Sequence, residues 1–152
     1  MLQRLQSLFL ALTAIALGVF LATDLWVGSN ATQQVSLNPY QITVSTGGVP
    51  TTQISIFYVA VIAVLGIGLS LFTIFQYKNR MRQMMLVALN SLLIAAAIAT
   101  AVYHIKYDAM NITDGDFTYG MYAGFAALLF NWLANRFIRK DEKLVRSADR
   151  MR

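Results

Sequence analysis

Residues 83–104 read QMMLVALNSLLIAAAIATAVYH, and no Asp, Glu, Lys or Arg interrupts them. A bilayer core is crossed by about 20 mostly apolar residues in helical form. This stretch meets that requirement, with Asn90 set near its middle. Upstream lies a tight basic connection carrying Lys78, Arg80 and Arg82, and before it a second apolar run over about 54–77. Downstream, about 118–138 repeats the pattern, and about 5–23 opens the chain in the same way. The first run resembles a signal peptide behind Arg4. Phe20, however, stands where a small-x-small cleavage site would need a small residue, so the run reads as a span. The four runs predict an all-α membrane protein, a four-transmembrane-helix bundle forming a single domain over residues 1–152.

The composition agrees with a membrane protein. The chain is 57% hydrophobic and 12% charged, about half the charged fraction of a soluble domain. It has no cysteine and one histidine, His104, which excludes disulfides and thiolate chemistry and leaves little for a triad or a histidine-rich metal site. The net charge of +5 matters less than its placement. Arg4, the 78–82 connection and the basic residues from Arg136 onward fall on one side of the runs; Lys106 is the exception among twelve Lys and Arg. The bias predicts cytoplasmic termini.

On the outer side, residues 24–53 are almost uncharged. Val35 and Leu37 alternate with Ser36, and Tyr40, Ile42 and Val44 with Gln41 and Thr43. Asn38-Pro39 and Thr46-Gly47-Gly48 punctuate them. This predicts a small β-hairpin or β-flap. The second outer loop, about 105–117, ends in Asp114-Gly115-Asp116, read as capping material for the last run. Asn30-Ala31-Thr32 and Asn111-Ile112-Thr113 match the glycosylation pattern, as chance triplets often do.

No ionisable residue lies near the centre of any run, which argues against a proton or ion path. His104 and Asp108 are spaced i, i+4 and are weak metal candidates; no ligand motif accompanies them, and no metal or cofactor is expected. Asn90 and Asn131 read as hydrogen-bonding glue between helices, and Gly120-Met-Tyr-Ala-Gly124 as a small face for close helix packing.

The C-terminal stretch 139–152 predicts a cytoplasmic amphipathic helix. From Phe137 its apolar residues, among them Leu144, Val145 and Ala148, fall within about 140° of arc. Arg146 and Arg150 lie opposite. Asp141 projects into the apolar stripe, which suits a protein partner that brings a cation better than bare lipid. Arg4, Arg80 and Arg82 are its candidate partners within the chain. Acidic residues dilute the charge too far for nucleic acid.

This tail, "LANRFIRKDEKLVRSADRMR" over 133–152, together with the opening "MLQRLQSLFL", resembles an uncharacterised family of Bacteroidota membrane proteins, domain of unknown function 4293. The resemblance covers the whole chain. It implies a bacterial inner membrane and supplies no catalytic residue. With no nucleophile–base set in view, the expected role is non-enzymatic: an accessory or structural subunit of a larger inner-membrane complex, in contact with membrane lipid and other membrane subunits. The alternative is a protein that binds lipid or a small molecule near Asn90, Asn131 and the outer loops.

Overall fold

The computed structural model describes residues 2–76 and 79–150; the side chains of residues 2–4 and 146–150 lie outside the described set. Four helices carry most of the chain: α1 (Leu2–Ala22), α2 (Phe57–Phe75), α3 (Arg80–His104) and α4 (Tyr119–Arg150). α3 runs on without a break into a π-helical turn, Ile105–Ala109. α1 packs on α2 and α4, and α3 packs on the same two, which closes a ring.

Small residues set how closely the ring shuts. A Cβ on Gly124 would come within 2.9 Å of the Phe20 ring on α1, and one on Gly120 within 2.5 Å of the Asp24 carbonyl. The Gly120–Gly124 face is therefore used inside the chain, against α1. Leu17, Phe20, Ile94, Ile98 and Ala127 fill the centre; Leu10, Val87, Ala134 and Ile138 form a second cluster nearer the basic end. The outer faces are apolar instead of charged. Leu65, Phe72, Phe75, Met85 and Leu92 are each at least half exposed, as lipid-facing side chains would be.

The prediction of an all-α, four-span bundle is overturned on two counts. First, among the described residues only three helices are long and apolar enough to cross a membrane: Leu5–Ala22, Phe57–Phe75 and Arg80–Ala109. α4 fails because its 32 residues are diluted by Tyr119, Tyr122, Asn131 and Asn135, and then by the charges from Arg136 onward. Second, the protein carries a five-stranded antiparallel sheet in the order β4-β3-β2-β1-β5. Its strands are β1 (Trp26–Ser29), β2 (Gln33–Leu37), β3 (Gln41–Thr46), β4 (Val49–Ser55) and β5 (Gly115–Phe117).

Local chemistry explains two turns of this sheet. Asn38 Oδ1 accepts from the amides of Tyr40 and Gln41, at 3.0 and 2.9 Å, and so turns the chain from β2 into β3. Gly47 and Gly48 both have positive φ, 61° and 82°, as a two-residue hairpin between β3 and β4 requires. Val35, Leu37, Ile42 and Val44 point to one face and are buried with Ile56, Val59, Ile105 and Met121 of the helical layer. The sheet thus caps one end of the ring.

β5 comes from the second loop and pairs with β1, Gly115 facing Gly28 and Phe117 facing Trp26. The Trp26 indole lies across both glycines: a Cβ on either would collide with its ring, 2.6 Å away in the case of Gly115. Gly115-Asp116 is therefore strand material with Asp114 just before it, and the triplet does not cap α4, whose first turn has no acidic residue. Thr118 precedes α4, and its hydroxyl donates to the Asp24 carbonyl.

Candidate functional site

Three polar groupings and one bare edge could carry function. The first lies inside the helical ring. Asn90 Nδ2 donates to Ser70 Oγ on α2 at 2.8 Å and to Asn131 Oδ1 on α4 at 3.1 Å. Asn131 Nδ2 returns to α3 through the Val87 carbonyl at 3.0 Å and Ser91 Oγ at 2.7 Å. Gly66 of α2 faces this spot: a Cβ there would touch Asn90 Oδ1 at 3.4 Å and crowd the Leu17 side chain at 3.2 Å. Two asparagines that looked like isolated polar residues in sequence are thus one network joining three helices. Amides and hydroxyls do not ionise in the working range, so the network ties helices without supplying a proton path.

The second grouping sits where the ring meets the sheet. His104 ends α3, Asp108 lies one turn on, and His104 Nδ1 and Asp108 Oδ2 are 2.5 Å apart. Tyr58, from the first turn of α2, places its hydroxyl against His104 Nε2. Tyr103 meets the imidazole edge-on, with ring centroids 5.6 Å apart. Both ring nitrogens of His104 are therefore occupied by protein. Among the described residues, no three His, Cys, Asp or Glu gather to hold a metal. Asp114 and Asp116 lie beside β1 instead. Sequence reasoning found the i, i+4 pair but missed Tyr58. The available signal was antiparallel geometry, because the start of α2 must lie level with the end of α3.

The third grouping is at the basic end. Arg80, the first residue of α3, pairs with Asp141 on α4 at 3.1 Å, both side chains mostly covered. Phe137 stacks on Phe9 of α1 with centroids 5.3 Å apart, and Gln6 Nε2 donates to the Phe137 carbonyl at 3.4 Å. The proximal tail is therefore fastened to the rest of the chain, and the Asp141 cation is an internal one. Beyond it Leu144 and Val145 are 52% and 39% exposed. Arg146, Ala148 and Arg150 lie on α4, with side chains outside the described set.

The bare edge is β4. It pairs with β3 on one side and, as the end strand of the sheet, with no strand on the other. All seven residues, VPTTQIS, are exposed and none is charged. Exposed edges are normally blunted by shortness, Lys, Pro or a bulge. Here the protections are Pro50 and a bulge on β4 itself, where Thr51 is left unpaired between the Val44–Thr52 and Ser45–Pro50 pairs, both near the hairpin. Thr52 to Ser55 have neither.

The model of a family described as Domain of unknown function (DUF4293) matches residues 2–151, nearly the whole chain. No curated protein matches it.

Proposed function

This chain belongs to the DUF4293 family of unknown function, and from that premise we propose that it is a non-enzymatic accessory subunit of a larger assembly in a bacterial inner membrane. The observation that carries this reading is the β4 edge: a seven-residue uncharged strand with its outer hydrogen-bonding groups open. An open edge accepts an added strand, with main-chain bonds giving affinity and side-chain pockets giving specificity. The occupant is an extended segment of another subunit, lying on the outer side of the membrane. The interior polar groups support the same role, because they bond to one another across helices. The cluster of basic residues at the opposite end supports a cytoplasmic position for that end.

The test is extraction in mild detergent followed by mass spectrometry, on the native chain and on a Thr51→Lys/Gln53→Lys variant. Two edge lysines block strand addition but leave the β3–β4 core face untouched. A stoichiometric partner should accompany the native chain and be absent from the variant, with unchanged melting of the chain itself. A partner that stays with the variant, or a native chain that comes out alone, overturns the reading.

A further inference from the structure

Past Ala127, α4 changes character along a single face. Trp132, Asn135, Arg136, Arg139, Lys140 and Lys143 fall within about 140° of helical arc and line a groove of about 470 Å³. Four of the six are cationic. Asp141 points to the other side of the helix, where Arg80 holds it, and Glu142 lies at the rim with an interaction of its own. Among the described residues, the groove therefore concentrates positive charge with no carboxylate in its lining.

Two further features narrow what fits. Asn135 Oδ1 is buried and has no hydrogen-bond partner among the described residues. It is an acceptor set among donors. Leu129 and Phe125 lie on the same face one and two turns below, 62% and 46% exposed, and lead up to Trp132, 56% exposed. The Arg136 guanidinium sits 5.8 Å from the Trp132 ring. The face thus runs from an apolar track, through an interfacial tryptophan, to a cationic head, as a lipid runs from acyl chain to phosphate.

We propose that this groove binds one anionic phospholipid with a hydroxyl-bearing headgroup. Arg136, Arg139, Lys140 and Lys143 hold its phosphate, its hydroxyl donates to Asn135 Oδ1, and its acyl chain lies along Leu129 and Phe125. Guanidinium forks suit phosphate oxygens. A free phosphate would use the head of the groove and leave the apolar track idle.

Native mass spectrometry of the full chain in neutral detergent tests this, with four probes at equal concentration: phosphatidylglycerol, phosphatidylethanol (the same charge without the hydroxyl), phosphatidylcholine and inorganic phosphate. One phosphatidylglycerol should be retained per chain, ahead of phosphatidylethanol, with neither of the others held. Arg136→Gln/Arg139→Gln/Lys140→Gln/Lys143→Gln should abolish retention. Should that variant not fold, Lys140→Gln alone, on an exposed side chain, should weaken it roughly fivefold. Asn135→Leu should remove the preference for phosphatidylglycerol over phosphatidylethanol, and Lys106→Gln at the sheet end should change nothing. Equal retention of phosphatidylcholine, phosphate held as tightly as lipid, or undiminished binding by the cation variants would each overturn the proposal.

Discussion

Asn90 shows what a single buried amide does where water is absent. Its Nδ2 reaches two other helices. An apolar side chain of similar volume would lose those bonds while remaining compatible with an apolar interior. Helix–helix hydrogen bonds in membranes contribute about 0.6–1.7 kcal/mol. Asn131 keeps its bonds to Val87 and Ser91 in that case. Asn90→Leu should therefore lower stability by about 1 kcal/mol in a detergent unfolding titration, with any partner still bound. A cost of several kcal/mol, or loss of the partner from an intact chain, would give Asn90 a role other than holding helices together. The residue was legible in sequence as glue because polar residues in an apolar run need a partner. Its actual partners were not, since Ser70 and Asn131 are set by how α2 and α4 rotate against α3.

At the scale of elements, sequence legibility follows length. α1, α2 and α3 were readable because each contains a long uncharged apolar run. β2 and β3 were readable because one face of each is buried, so apolar and polar residues alternate. β4 has no buried face and hence no alternation. β1 and β5 have four and three residues, and their pairing joins two loops that the sequence keeps far apart. The extent of α4 was split in sequence between a span and a tail. In the structure it is one helix, pinned partway by Arg80 and Asp141. That pin is partly covered, so its loss should fall between a surface pair, about 0–1 kcal/mol, and a buried one, about 3–5 kcal/mol. Asp141→Ala should destabilise by about 1–2 kcal/mol and increase protease access to α4 beyond Phe137. Conversely, Arg80→Met/Asp141→Leu should recover much of the loss, since removing both charges strands neither. Unchanged protease access in Asp141→Ala would show that the Phe9–Phe137 stack alone holds the helix.

The whole molecule is polarised from end to end. The sheet, nearly free of basic residues, sits at one end of the helical ring, and Arg80, Arg136, Arg139, Lys140 and Lys143 sit at the other. A reporter inserted at Gly47, in an exposed hairpin turn, should act as an exported one. A reporter fused after Arg152 should act as a cytoplasmic one. Finding both on the same side of the membrane would remove the orientation from which the lipid and partner sites were argued.

The pairing of β5 with β1 also has a consequence in time. The chain emerges from the ribosome in order, and β1 to β4 are complete once Ser55 is out. β5 begins at Gly115, 60 residues later (115 − 55), which at ordinary synthesis rates is about 3–12 s. In that interval α2 and α3 must both be made and placed, because they link β4 to β5. Until then the Trp26 indole lacks the glycine strand that lies against it. A nascent chain halted before residue 115 would hold an open sheet of four strands at most, with a tryptophan flank still wet. Closure of the sheet is thus a record that the third helix has arrived.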